Sequence, residues 1–139
     1  MARLSLEEMV VASDYIIIGV IKNRIELFDE TELCPNKHIV TIAITQKLKM
    51  KEKRKSLQIE SCRDAIIEDP TFFAGEKCFI FVKSLKGKVV NQVLQGYYGK
   101  LTIDDNIVRP VGIIDFAVGS EIELDKFIKS IKDVIKDLQ

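Results

Sequence analysis

Short segments in which apolar and polar residues alternate fill most of the chain between residues 15 and 108, and they constrain the fold more than any other feature. Within residues 38–50, for example, Val40 and Ile42 lie on one side of an extended chain while Thr41 lies on the other. Such alternation predicts a half-buried β-strand. Comparable segments occur at residues 15–27, 57–61, 77–83, 89–95 and 101–103. About six short strands joined mainly by hairpin-type connections predict a small antiparallel β-barrel.

The first strand, residues 15–27, changes character along its length. Its first half is apolar on both faces, whereas its second half is apolar on one face only. This pattern predicts a barrel strand that runs beneath a helix at one end and is half exposed at the other. Gly19 within it predicts a bend or a bulge.

The two ends of the chain carry helical patterns. Ser5 followed by Glu8 fits a capping box and predicts a short helix that ends near Ser13. Near the C-terminus the apolar residues recur at helical spacing and predict a longer amphipathic helix. They are Leu124, Phe127, Ile128, Ile131, Val134, Ile135 and Leu138. We therefore expect residues 1–139 to form one mainly β domain with a helix at each end, since this length suits a single domain.

Charge and hydropathy exclude several classes of protein. Lys and Arg total 21, as do Asp and Glu, so the formal net charge is zero, which argues against a dedicated nucleic-acid-binding domain. The longest apolar run, residues 15–21, is far shorter than the ~20 residues that span a bilayer. The first residues show no basic segment followed by an apolar one, so no signal peptide is predicted in the chain as given.

Four segments resemble one known family. Residues 13–21 resemble the first strand of TIMP-like (netrin-like) OB-fold domains, and residues 41–49 resemble their second strand. Residues 73–82 are similar to a Gly-Glu-containing strand of their small exported microbial members, and residues 96–106 resemble their closing hairpin. The resemblance implies an OB-fold and export. Inhibitory members chelate a protease's zinc through an N-terminal cysteine. This chain begins with Met1 and its first cysteine is Cys34, so the resemblance does not extend to that activity.

Residues suited to catalysis or metal binding are sparse. A Cys–His pair would have to use Cys34 and His38, the one histidine, and a zinc site would need Cys62 and Cys78 as well. The cysteines lack the short spacing of zinc knuckles. Residues 104–106, Asp-Asp-Asn, are expected to form a hairpin turn rather than a calcium loop. We predict no enzyme activity, no metal and no cofactor.

A basic cluster is the first candidate for binding, and it would serve single-stranded nucleic acid. Its residues are Lys47, Lys49, Lys51, Lys53, Arg54 and Lys55. Tyr97 and Tyr98 are candidate stacking residues, because OB barrels bind single strands through basic grooves with aromatic platforms. The alternative is a solvated hairpin tip, which is the commoner meaning of a charge run.

Protein binding is the second candidate and the one we favour. The longest loops, residues 28–37 and 63–74, contain Phe28, Phe72 and Phe73 as candidate exposed anchors. The alternative is that Phe72 and Phe73 plug one end of the barrel. The sequence thus predicts a non-catalytic binding or accessory domain for an unknown protein partner, monomeric or weakly dimeric, with single-stranded nucleic-acid binding as the alternative.

The three cysteines carry separate expectations. Cys78 shares a strand face with Ile80 and is predicted to be a buried, inert thiol. Cys34 in a loop and Cys62 at a strand end are predicted to be accessible. If a bridge forms, these two are the pair; three free thiols are the other outcome.

Overall fold

The computed structural model describes residues 3–31, 34–62, 70–84, 91–94 and 96–139. Within them the fold is mainly β, with two α-helices, as the sequence predicted. The helices are α1 (Leu6–Ala12) and α2 (Leu124–Asp137), and a 3-10 helix spans Gly96–Gly99. The strands are β1 (Tyr15–Phe28), β2 (Asn36–Lys49), β3 (Ser56–Cys62), β4 (Lys77–Ser84), β5 (Asn91–Val93), β6 (Lys100–Thr102), β7 (Ile107–Val108) and β8 (Ile122–Glu123).

Five strands close into a barrel in the order β1-β2-β3-β5-β4, and β4 pairs back onto β1. The extra strand β6 also pairs with β4, in addition to the barrel strand β5. The sequence predicted antiparallel pairing, but β5 runs parallel to β3. An odd number of strands in a closed ring cannot alternate in direction all the way round, so one neighbouring pair must be parallel.

Two apolar cores flank the barrel wall. Ile17 and Ile21 of β1 belong to the barrel interior, whereas Ile16 and Ile18 belong to the core beneath the helices. This explains why the first half of β1 is apolar on both faces. In the outer core the ring of Phe127 from α2 lies 4.9 Å from the ring of Phe79, edge to face.

Gly19 lies where β1 packs tightly against β2. The β1–β2 register shifts between Ile18 and Gly19, which confirms the predicted irregularity. A Cβ atom at Gly19 would lie 2.5 Å from Cγ2 of Ile42 and 2.7 Å from the carbonyl oxygen of Ala43. Any larger residue would therefore force the two strands apart.

The two helices and the tight turn at Asp105 form where the sequence predicts them. Ser5 and Glu8 form the predicted capping box. In α2 the first two turns of the apolar stripe are buried, but Leu138 after the helix is 50% exposed. Asp105 and Asn106 adopt positive φ angles of 51° and 67° in the predicted tight turn.

The end of β1 continues along β2 past its pairing with β4. β4 pairs with β1 only as far as Val20, which lies opposite Lys77. A register shift between Ile21 and Asn23 follows. Residues 22–28 of β1 then continue beside β2, whose other edge pairs with β3. We call residues 22–28, 36–42 and 57–62 the ribbon.

Candidate partner-binding surfaces

The predicted basic cluster lies at the turn between β2 and β3, which we call the basic tip (residues 47–55). Lys51, Lys53, Arg54 and Lys55 are exposed there. Nε of Arg54 lies 3.7 Å from a carboxylate oxygen of Glu52, an exposed pair of the kind that contributes little to stability. In the described part of the chain no side-chain hydrogen bond or ion pair holds the three exposed lysines.

Lys49 does not belong to this exposed set, which corrects its assignment to the basic surface. Its side-chain ammonium donates to the carbonyl oxygen of Val10 at 2.8 Å and to that of Ser13 at 2.5 Å. Both acceptors lie at the C-terminal end of α1, where backbone carbonyls lack helical partners and a positive charge is favourable. Lys49 therefore ties the helix to β2.

Lys47 is also engaged within the basic tip. Its ammonium donates to the backbone oxygen of Glu52 at 2.8 Å. The carboxylate of Glu52 accepts a hydrogen bond of 2.8 Å from the hydroxyl of Tyr15. This hydrogen bond, followed by burial, raises the pKa of Tyr15 above its ordinary value. The hydrogen bond between Tyr15 and Glu52 thus ties the tip to β1, while the bond from Lys47 closes the tip on itself.

A shallow groove of about 340 Å³ runs from the basic tip onto the outer face of β2 and β3. Thr41 lies opposite Gln58 across these strands, and both point away from the buried residues that alternate with them. The lining residues are Thr41, Arg54, Lys55, Ser56 and Gln58. Two cations beside hydroxyl and amide groups suit an anionic or polar ligand.

The two adjacent phenylalanines, Phe72 and Phe73, differ in burial. Phe72 is completely buried in the barrel interior, so its assignment as an exposed anchor is wrong and the plug interpretation is confirmed for it. The ammonium of Lys100 lies 5.2 Å from its ring centroid. Phe73 is 62% exposed. In an extended segment neighbouring side chains point to opposite sides, and only one of the two can enter the core.

The predicted tyrosine platform is only partly described. Tyr98 lies in the 3-10 helix, half buried, with its ring against Gly112, where a Cβ atom would collide with it. The side chain of Tyr97 lies outside the described part, as do residues 63–69 of the second candidate loop. Among the described contacts, none joins Tyr98 to the basic tip.

A half-buried ion pair near the barrel end was not identified from the sequence. The Lys100 ammonium lies 2.8 Å from each carboxylate oxygen of Glu76, and the hydroxyl of Thr102 donates to one of them at 2.8 Å. Burial raises the pKa of Glu76, but these hydrogen bonds outweigh it and hold the pKa below its ordinary value. Lys100 also donates to the oxygen of Thr71, so the cluster fastens the segment before β4 to β6.

Cys34 and Cys62 form a disulfide with a Cα–Cα distance of 5.9 Å, the pair that the sequence favoured if a bridge formed. The bond links the β1–β2 loop to the end of β3. Cys78 is completely buried, as predicted, and burial raises its pKa to about 12. Since Cys34 is oxidised, it has no thiol to pair with His38, whose Nε2 lies 3.6 Å from a carboxylate oxygen of Glu26.

The end of β1 in the ribbon carries three exposed apolar side chains, which we call the apolar patch: Ile25 and Leu27 on one strand face, and Phe28 on the other. Ile25 is 56% exposed, Leu27 is 42% exposed and Phe28 is 68% exposed. The sequence identified Phe28 as a candidate anchor. It marked the other two only as the apolar side of a half-buried strand, and alternation cannot tell whether another layer covers that side.

Comparison of the chain with protein-family models and with curated proteins finds no match. No helix in the described residues is long and apolar enough to cross a bilayer. Over the same described ranges, no group of three or more His, Cys, Asp or Glu residues could hold a metal ion.

Proposed function

We propose that the chain is a non-catalytic protein-binding domain, built on an OB-like barrel of the exported TIMP-like type, that binds its partner through the apolar patch. The strand order supports the OB-like assignment. The ring β1-β2-β3-β5-β4 with a parallel β3–β5 pair agrees with the five-stranded Greek-key barrel of OB-folds. The resemblance of the first strand and of the Gly75-Glu76 strand points the same way.

The apolar patch is the observation that carries the proposal. Three large apolar side chains within four residues of a strand end are exposed, whereas such side chains normally occur singly on a soluble surface. The Cys34–Cys62 bond holds the loop beside them. The end of β1 itself is held by its pairing with β2, and a patch on an ordered strand loses little conformational freedom on binding, which improves affinity.

The disulfide supports export as well. Disulfides persist in oxidising compartments and are rare where thiols are kept reduced. The thiol chemistry supports a non-catalytic role, because Cys34 is oxidised and the pKa of Cys78, at about 12, keeps that thiol protonated near neutral pH.

Single-stranded nucleic acid is the second candidate, and the groove on β2 and β3 favours it. The groove contains Arg54 and Lys55, and the exposed Lys51 and Lys53 continue the positive charge. Two features weigh against it: two of the six predicted cations are engaged within the fold, and the net charge is zero.

Site-specific photocrosslinking distinguishes these functions. A benzophenone amino acid replaces Phe28 in the patch, Lys53 in the basic tip, or Val118, which is 78% exposed and serves as an apolar control elsewhere. Each variant is irradiated in the cells that produce the protein. We expect a protease-sensitive adduct of defined mass from position 28 and none from position 118.

A nuclease-sensitive adduct from position 53, with none from position 28, would replace the protein-binding function by nucleic-acid binding. Equal adduct formation at positions 28 and 118 would show that the patch has no specific partner and would contradict the proposal.

A further inference from the structure

In the described part of the chain, the edge of β1 along residues 22–28 that faces away from β2 pairs with no strand. On one edge, β1 pairs with β4 as far as Val20, and Ile21 exchanges backbone hydrogen bonds with Gly75 and Glu76 just before β4, while β2 occupies the other edge along residues 22–28. An open strand edge is a template for another strand, and natural proteins usually protect such edges with charge, proline or a bulge.

Backbone groups of the ribbon point toward that edge. Asp29, directly after β1, donates its backbone N–H to Pro35 across the ribbon. Because the direction of backbone groups alternates along a strand, the odd-numbered residues of this segment face β2. The N–H and C=O groups of Arg24 and Phe28 are therefore directed toward the open edge.

The side chains along the edge are complementary to themselves. In an antiparallel pair of identical strands centred on Ile25, Arg24 lies opposite Glu26 of the other copy, and the reverse pair forms as well. Ile25 then lies opposite its own copy. Centring the pair on Arg24 or on Glu26 would instead place two like charges directly opposite each other, which is unfavourable. The register on Ile25 thus pairs both charges with opposite charges and Ile25 with its own copy, while Leu27 lies opposite Asn23 and Phe28 lies opposite Lys22.

We propose that a second copy of this chain binds along this edge, antiparallel and centred on Ile25. The two ribbons then form one continuous sheet with three strands from each copy, related by a two-fold axis. This inference rests on the proposed function, because it names the partner that the patch region binds. A contact of about seven residues per copy is smaller than a standard interface, so the dimer is weak and concentration-dependent.

Disulfide trapping tests the register in the purified protein. Ile25 belongs to the non-hydrogen-bonded pairs of this edge, whose Cα atoms approach to about 4.5 Å, within the range that a disulfide spans. Ile25→Cys should therefore form a covalent dimer in a glutathione buffer. Val11→Cys on α1 is the matched control, because Val11 has the same exposure of 56%. We expect the first variant to cross-link about tenfold faster or more, through a high local concentration.

Mass spectrometry must identify the linked peptide as residue 25 joined to residue 25, which excludes exchange with the native disulfide. Equal cross-linking rates for the two variants would overturn the inference. If position 28 still forms adducts with a different protein in cells, the proposed function stands while the inference fails.

Charge exchange provides an independent readout. Arg24→Glu and Glu26→Arg should each raise the dimer dissociation constant, measured by sedimentation equilibrium, about fivefold or more. Each variant places two like charges opposite each other at both positions where residue 24 of one copy meets residue 26 of the other. The double variant should restore dimerisation. Thermal melts show which charge variants are folded. The disulfide-trapping experiment uses none of these charge variants, so its result does not depend on whether they fold. A folded double variant that dimerises no better than the single variants would refute the register.

Discussion

Lys49 provides a sharp test of whether the basic cluster serves binding or structure. Replacing it by Met keeps an unbranched apolar stem and removes the ammonium that donates to the Val10 and Ser13 carbonyl oxygens. The C-terminal end of α1 then loses its charged partner. We expect the fold to persist with α1 less firmly attached to β2.

The magnitude follows from the two contacts. A hydrogen bond from a charged donor contributes about 1.5–3 kcal/mol, and partial solvent access at this half-buried site keeps the combined loss near 2–3 kcal/mol. Unfolding a domain of this size has an entropy of about 0.3 kcal/mol per kelvin. Lys49→Met should therefore lower Tm by roughly 7–10 °C.

Circular dichroism during thermal and urea unfolding at pH 7 measures this loss. Lys51→Met is the matched control, because Lys51 is exposed in the same basic tip and should shift Tm by less than about 2 °C. The reasoning is refuted if the two variants melt together, since Lys49 would then contribute no more than a solvated lysine.

Two further outcomes are expected from the buried polar groups. Glu76→Gln should destabilise the protein at pH 7. Because the pKa of Glu76 is held below its ordinary value of 4.5, its ionised form stabilises the fold above that pH, and the difference from wild type should shrink as pH falls below it. Urea unfolding between pH 7 and pH 3 measures this, and a difference independent of pH would contradict it. Alkylation of the native, unreduced protein should label no cysteine rapidly, and unfolding without reductant should expose one thiol, Cys78. Rapid native labelling of Cys34 or Cys62 would show that the bridge is absent.

Features that depend on neighbours in the chain were readable from the sequence. The capping box at Ser5, the irregularity at Gly19 and the tight turn at Asp105 each follow from the local geometry that a residue type permits. The inward faces of β2 and β4 follow from alternation, because successive side chains of a strand point to opposite sides. These signals together predicted a small barrel with two helices, and the structure confirms it.

Features that depend on distant partners were not readable. Lys49 and Lys51 are equivalent in the sequence, yet only Lys49 lies beneath the end of α1. Phe72 and Phe73 are chemically identical, and only the path of the chain into the barrel decides which is buried. Each ion pair or anchor needs a partner many residues away, and no local pattern specifies where the fold will bring that partner.

Strand β1 in the ribbon combines both kinds of feature, one that neighbouring residues determine and one that distant residues determine. Alternation assigns Ile25 and Leu27 to a common face of β1, and this follows from the geometry of any extended chain. Whether that face and the neighbouring edge are covered depends on where the pairing with β4 and the residues just before it stops, at Ile21. The extent of that pairing is set by barrel closure, which sums contacts among strands far apart in the chain. The tertiary structure alone therefore decides that this apolar face stays exposed.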